Sequence, residues 1–149
     1  MASLDEVDLK ILRLLQEDAR TPLSRIARQL GVSEGTIHMR IKKLKSAGAL
    51  KGFQAIVNPL SVGKAFTAIT LIKADPAKHS EILERLKYMP DVYEVYDVTG
   101  EYDAVVKLRS ESKEGLASII DNIGKIAGVS ATLTMIVLKT VKEEYKINF

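Results

Sequence analysis

The stretch that decides the fold runs from Gly31 to Gly48 and reads GVSEGTIHMRIKKLKSAG. Apolar side chains recur at the i, i+4 and i+7 spacing of one helix face: Ile37, Ile41 and Leu44. Ser33 precedes the pattern in the position of an N-cap, and Gly48 follows it where a left-handed residue ends a helix. We therefore predict one short helix with a narrow apolar face.

The exposed side of this helix is strongly basic. Residues 20–51 carry eight Lys and Arg side chains against one acid, Glu34, whereas residues 59–149 carry 12 basic and 13 acidic side chains. The eight are Arg20, Arg25, Arg28, Arg40, Lys42, Lys43, Lys45 and Lys51. A nearly neutral protein with one concentrated basic patch is typical of a localised anionic partner. The helix fits a DNA recognition helix, and taken alone it fits a solvated surface helix equally well.

Two shorter patterns precede it. Residues from Leu4 to Asp18 have the apolar spacing of a helix, and acids load its first turn. Thr21 and Pro22 then read as an N-cap followed by proline at the first helical position, and Gly31 ends this second helix. Two helices joined by a glycine-containing turn form a helix-turn-helix.

The residues after Gly48 predict a wing and then a linker. Leu50 to Val57 reads as a strand, which Asn58-Pro59 stops. We assign residues 1–58 to a winged helix-turn-helix domain and residues 59–65 to a linker.

The second half alternates strands and helices in the order βαββαβ. We predict strands at 65–74, 92–98, 102–109 and 129–141, and helices from Asp75 to about Met89 and from Ser112 to Gly128. This order predicts a ferredoxin-like domain over 66–149, so the fold class is α+β. Seven apolar strand residues cannot all face the helices: Ile69, Leu71, Val105, Val106, Leu133, Met135 and Val137. We expect another copy of the chain to cover the second face.

Composition excludes several classes of protein. The chain has 149 residues and no cysteine, so it has neither disulfides nor thiolate metal sites. No apolar run approaches transmembrane length and no secretory signal is evident, so we predict a cytoplasmic protein without membrane association. We also predict no metal, no cofactor and no enzymatic activity. The loop Ala74–Ala77 lacks the arginine that acylphosphatases of this fold require, and no glycine-rich phosphate loop is present.

DNA contacts are expected at the amino-terminal end of the basic helix, since that end enters the major groove. We predict groove contacts by Glu34, Gly35, Thr36, His38 and Met39, and phosphate contacts by Arg40, Lys42 and Lys43. Flanking backbone contacts are assigned to Ser24, Arg25 and the amides after Thr21, and Ser33 completes the predicted set of DNA-binding residues. Glu34 fits a helix-dipole partner equally well, and Met39 fits a packing residue.

The turn Thr99, Gly100, Glu101, Tyr102 and Asp103 predicts a small-ligand site. Glycine allows a close backbone approach, so adjacent amides there can receive a carboxylate while Asp103 or Glu101 receives an ammonium group. These features outline an amino-acid site. Ser130, Thr132 and Thr134 alternate onto one face of the fourth strand and present hydroxyls there. A plain hairpin turn with solvent-facing strand hydroxyls is the alternative.

Three segments together resemble the Lrp/AsnC (feast/famine) transcriptional regulators of bacteria and archaea: LDEVDLKILRLLQEDAR, IARQLGVSEGTIHMRIKKLKSAGAL and VTGEYDA. The resemblance spans essentially the whole chain and leads us to expect an archaeal source. It implies double-stranded DNA as partner and dimers that assemble up to octamers. It also implies that amino-acid effectors are held between subunits, by the 99–103 turn of one and by the fourth strand of its neighbour, where Thr132 and Thr134 offer hydroxyls. The alternative function is a nucleoid-type architectural DNA-binding protein without a ligand.

Overall fold

A computed structural model describes residues 4–149 and divides the chain into two compact units. The first unit comprises the residues up to Ile56 together with Glu144–Phe149, and the second comprises Val57–Glu143. These limits differ from the predicted ones, because the chain enters the second unit earlier and then returns to the first.

The first unit is a three-helix domain. Its helices are α1 (Glu6–Glu17), α2 (Leu23–Leu30) and α3 (Glu34–Ser46). Asp5 and Asp8 form a reciprocal capping box at the start of α1, which places the acids of the first turn where the helix dipole favours them. The core consists of Ile11, Leu12, Leu15, Ile26, Ala27, Ile37 and Leu44.

Two local predictions in this unit are wrong. The N-cap of α2 is Pro22 and not Thr21, because Pro22 still has an extended ψ of 139° and the helix begins at Leu23. No strand forms between Leu50 and Val57. A strand needs a neighbour to take up its backbone hydrogen bonds, and within residues 4–149 no strand pairs with this segment. The predicted wing is therefore a segment without regular secondary structure.

The second unit confirms the βαββαβ order. Its strands are β1 (Phe66–Ala74), β2 (Val92–Asp97), β3 (Ala104–Ser110) and β4 (Val129–Ile136). The helices α4 (His79–Lys87) and α5 (Lys113–Gly124) connect β1 to β2 and β3 to β4. The sheet is antiparallel in the order β2-β3-β1-β4. The fold class is therefore α+β with a ferredoxin-like second unit.

The two faces of this sheet differ. Ala68, Ile72, Val106 and Leu108 are completely buried in the core that α4 and α5 complete. The other face carries Leu71 opposite Leu133 and Ile69 opposite Met135, and the two β4 residues are 46% and 47% exposed. The prediction that the strand apolar residues divide between two faces is confirmed.

Several boundaries differ from the predicted ones for local reasons. β4 ends at Ile136 and not Val141, because its neighbour β1 begins at Phe66 and the last hydrogen bond between them joins the Val137 amide to the Thr67 carbonyl. α4 begins at His79 and not at Asp75, because Pro76–Lys78 form a 3-10 turn. α5 ends at Gly124 and not at Gly128, because residues 125–128 form turns before β4. The predicted linker 59–65 contains a 3-10 turn, Pro59–Val62.

Lys64, at the end of this predicted linker, is anchored to the second unit. Its Nζ lies 2.6 Å from Asp91 Oδ1, and this hydrogen bond raises the pKa of Lys64. Between residues 4 and 149, no helix combines the length and apolar character needed to cross a bilayer.

Candidate DNA interface and effector loop

The helix α3 has the two faces that its sequence predicts. Ile37 and Leu44 are 0% and 1% exposed, and Ile41 packs partly buried against the same core. The Ser33 hydroxyl accepts a hydrogen bond from the Thr36 amide at 3.1 Å, so the predicted N-cap is confirmed. Gly48 follows the helix with a φ of +72°, the left-handed conformation that glycine adopts without strain.

The residues predicted to contact DNA lie mostly on exposed surface. The exposed ones are Ser24, Arg25, Ser33, Glu34, Gly35, His38, Met39, Lys42 and Lys43, while Thr36 and Arg40 are partly buried. Met39 is 65% exposed, so it belongs to the solvent face of α3 and not to the core. The Ser33 and Thr36 hydroxyls lie 2.9 Å apart, so the N-cap of α3 already engages both. DNA contact by all these residues remains a prediction.

The basic patch is electrostatically unmatched. Within residues 4–149, no acidic side chain forms an ion pair with seven of its eight cations: Arg20, Arg25, Arg28, Lys42, Lys43, Lys45 and Lys51. Lys45 instead places its ammonium 4.9 Å from the centroid of the Phe53 ring. Unpaired cations on one surface give a local positive potential that attracts a polyanion.

Arg40 is the exception among the eight. Its Nη1 donates to Asp5 Oδ2 at 2.6 Å and to Asp8 Oδ1 at 2.8 Å, and the Asp8 side chain is fully buried. The hydrogen bond with Asp5 raises the pKa of Arg40, and the same bond lowers the pKa of Asp5. Arg40 thus joins α3 to the start of α1, a role that the sequence did not indicate. Phosphate contact by Arg40 stays a prediction.

The loop of residues 99–103, which we call the candidate effector loop, is held at one end of the sheet by Asp103. Asp103 Oδ2 accepts from the Ala74 amide at 2.7 Å, and the Asp103 amide donates to the Ile72 carbonyl at 2.9 Å. The Val98 amide donates to the Asp103 carbonyl and closes the loop. One carboxylate oxygen of Asp103 therefore has a structural partner, which leaves Oδ1 as the oxygen that the proposed ammonium contact would use.

The loop backbone has the character expected of an anion site. Gly100 has a φ of +131°, a conformation that side chains rarely tolerate. Among residues 4–149, no acceptor takes a hydrogen bond from the amides of residues 99–102. Lys73 adds a cation that sequence reasoning missed: its Nζ lies 3.7 Å from Glu101 and 5.9 Å from the Tyr102 ring centroid. The available signal was a lysine near the end of an otherwise apolar strand.

Thr132 and Thr134 share one face of β4, as predicted. Thr132 pairs with Ile72 and Thr134 with Thr70, so both threonines lie on the helix-bearing side of the sheet. The Thr134 hydroxyl lies 2.9 Å from the buried Thr70 hydroxyl, which gives it an internal partner. Within one chain, β1 separates these threonines from the candidate effector loop.

Comparison with known proteins agrees with both units. Residues 4–45 match the AsnC-type helix-turn-helix domain, and residues 64–147 match the Lrp/AsnC ligand binding domain. The HTH-type transcriptional regulator FL11 from Pyrococcus horikoshii is 46% identical over 140 residues, which cover 94% of this chain and 93% of that protein.

Solved structures agree with this assignment. E. coli AsnC superimposes with a TM-score of 0.86 at 32% identity, covering 95% of this chain and 97% of that chain. The feast or famine regulatory protein of M. tuberculosis, solved in complex with L-methionine, gives a TM-score of 0.89 at 30% identity and covers 97% and 99%. The helix-turn-helix with its unpaired basic face and the ferredoxin-like sheet with its glycine loop therefore identify this chain as a member of the Lrp/AsnC family of transcriptional regulators.

Proposed function

We propose that this protein regulates transcription by binding specific operator DNA through α3, and that an amino acid bound at the 99–103 loop modulates this binding. The observation that carries the proposal is the exposed patch of cations that lack ion-pair partners among residues 4–149. The alternative is an architectural protein that covers DNA without sequence preference.

In the proposed complex, the amino-terminal end of α3 lies in the major groove. Glu34 accepts from a cytosine amino group, and Thr36 and Met39 contact thymine methyl groups, while Gly35 and His38 complete the reading surface. Lys42 and Lys43 bind phosphates, and Ser24, Arg25 and Ser33 hold the flanking backbone. Base contacts set the sequence preference, and phosphate contacts set the salt dependence.

Selection of bound fragments from random DNA tests the operator proposal. We expect recovered fragments to share two half-sites spaced by about one helical turn, roughly 34 Å, because a symmetric dimer presents two recognition helices. The Met39→Ala variant should recover fragments with a relaxed preference at one base step, and competition with random DNA should leave the wild-type operator complex intact. Fragments without a common motif would favour the architectural alternative.

The effector proposal rests on the unused amides of residues 99–102 and on the charged groups around them. These amides would receive the α-carboxylate, with Lys73 nearby, and Glu101 or Asp103 Oδ1 would receive the ammonium group. Thr132 and Thr134 of a neighbouring subunit would supply hydroxyls. The L-methionine complex of the M. tuberculosis relative supports an amino acid as ligand.

Calorimetry with each of the twenty amino acids tests the effector proposal. We expect at least one amino acid to bind. The Glu101→Gln variant should raise the Kd of that amino acid by roughly tenfold, because a hydrogen bond to a charged group contributes about 1.5–3 kcal/mol. Thr140→Val, which changes an exposed threonine outside the sheet, is the control and should leave the Kd unchanged. Absence of binding for all twenty would refute the proposal.

We further propose that a second copy covers the open sheet face of Ile69, Leu71, Leu133 and Met135 and that dimers assemble further, up to an octamer. The half-exposed β4 residues support this proposal, since contiguous apolar surface of this kind marks contact sites. A regulator of this class acts on DNA in the cytoplasm, and we expect neither catalytic activity nor a cofactor. Light scattering with and without the effector measures the assembly.

A further inference from the structure

The segment Glu144–Phe149 follows the second unit in sequence but packs with the first unit. The chain therefore crosses between the units twice, once at Ile56–Val57 and once at Glu143–Glu144. A single crossing would leave the DNA-binding unit on one tether, whereas two crossings restrict its motion whenever the returning segment is docked.

The docked segment is held by one face of α1. Gln16 Oε1 accepts from the Ile147 amide at 2.8 Å, and Gln16 Nε2 donates to the Ile147 carbonyl at 3.0 Å. Arg13 Nε donates to the Phe149 carbonyl at 2.8 Å, and Glu17 lies 2.7 Å from Lys146 Nζ. Positions 13, 16 and 17 share one side of a helix, and the segment runs antiparallel to α1 along it.

The hydrogen bonds and the ion pair that hold the segment are exposed to solvent. Three of the four main contacts are hydrogen bonds to the backbone of the segment, so they depend little on which side chains the segment carries. Ile147 is 71% exposed, while Tyr145 and Phe149 are 53% and 47% exposed and the Phe149 ring lies 5.4 Å from the Arg13 guanidinium carbon. The segment therefore buries only about half of its apolar side-chain surface. A groove of about 660 Å³ remains between the segment, α1 and residues 49–56. A segment with few buried apolar contacts opens locally at low free-energy cost.

We propose that Glu144–Phe149 is a releasable strap whose docking on α1 restrains the DNA-binding unit and couples it to β3. Glu143, directly before the strap, is ion-paired with Lys107 and Arg109 of β3. The coupling part rests on the proposed function, because β3 directly follows the 99–103 loop of the candidate effector site. A ligand that shifts β3 moves the start of the strap, and a docked strap lowers the ordering cost of placing two recognition helices on one operator. Release of the strap weakens operator binding without removing any phosphate contact.

Amide hydrogen exchange of the full chain tests the docking itself and does not depend on DNA. In Gln16→Ala the exchange of residues 144–149 should rise about tenfold, because both hydrogen bonds to Ile147 are lost. Gln29→Ala, at an exposed glutamine of α2, is the matched control and should leave this exchange unchanged. A variant that ends at Glu143 should keep the exchange pattern of the second unit. Unchanged exchange in Gln16→Ala overturns the strap.

Operator titration then tests the coupling. Gln16→Ala and the chain ending at Glu143 should each lose about fivefold in affinity with an unchanged salt slope, since no phosphate contact is removed. The effect of the effector on affinity should fall in both variants. Faster exchange with unchanged affinity and effector response overturns the coupling. Wild-type protein that binds no operator overturns the proposed function and the coupling, while the exchange result still decides the docking.

Discussion

Replacing both Lys42 and Lys43 with alanine is expected to weaken operator binding by roughly 30-fold near 0.1 M salt, by the loss of two phosphate contacts. Both side chains are exposed on α3, and neither has an ion-pair partner among residues 4–149. The slope of log affinity against log salt should become shallower by about 1.8, because each phosphate contact contributes about 0.9. Fluorescence anisotropy over a salt series measures both quantities.

The paired variant Lys125→Ala with Lys139→Ala provides the control. Both lysines are exposed in the second unit, so the net charge changes equally while α3 stays intact. This pair should lower affinity only slightly and leave the slope unchanged. Equal losses in both pairs would mean that total charge, and not contact by α3, determines binding. Random DNA should weaken in parallel with operator DNA, because phosphate contacts carry no sequence information.

The parts of the fold that depend on neighbours in sequence could be predicted. The apolar stripe of α3, the Ser33 cap and the positive φ of Gly48 are local features, and all three are present. The βαββαβ order follows for the same reason, since each element has its own periodicity. The strand predicted from Leu50 to Val57 was wrong because a strand requires a partner strand, and apolar alternation alone does not supply one.

The unpredicted features all join residues distant in sequence. Arg40 finds its partners on α1, more than thirty residues earlier, so its position in a basic run suggested phosphate instead. The Thr134 hydroxyl lies next to the Thr70 hydroxyl on the neighbouring strand β1, and Asp103 accepts a hydrogen bond from the Ala74 amide with one carboxylate oxygen. Likewise nothing in the residues 144–149 reveals that Gln16 receives them. Arg40 and Thr134 were placed in the correct helix and strand, and only the tertiary contact decided their roles.

Arg40→Met is expected to destabilise the DNA-binding unit by about 3 kcal/mol, the loss typical when one partner of a buried ion pair is removed. Methionine keeps much of the apolar stem of arginine, so the loss of stability reflects the missing positive charge and not a cavity. The change leaves the Asp8 carboxylate fully buried without its guanidinium partner. Denaturation followed by helical circular dichroism should show an early transition from the first unit. Four of the five tyrosines lie in the second unit and Tyr145 lies in the first. With Tyr145→Phe present in both proteins, tyrosine fluorescence reports the second unit alone, and its transition should stay in place.

A triple variant separates lost charge pairing from lost packing. Adding Asp5→Asn and Asp8→Asn to Arg40→Met removes every charge of the cluster, so most of the stability should return.

The dependence of stability on acid pH offers a second check of the Arg40 ion pairs. The folded pKa of Asp5 is lowered below 3.8 by its hydrogen bond with Arg40, so this contribution is present above pH 3.8 and lost as pH falls through the folded value. Stability of Arg40→Met should therefore decline less over that acid range than stability of the wild type.

The folded triple variant also decides between the two roles of Arg40. If Arg40 only joins α3 to α1, the triple variant should bind operator DNA with an unchanged salt slope, because no phosphate contact has been removed. If Arg40 also binds a phosphate, the slope should become shallower by about 0.9. We expect the unchanged slope, since Nη1 is engaged by two carboxylates at 2.6 and 2.8 Å. The reading end of α3 would then be positioned by Arg40 and held on DNA by Lys42 and Lys43.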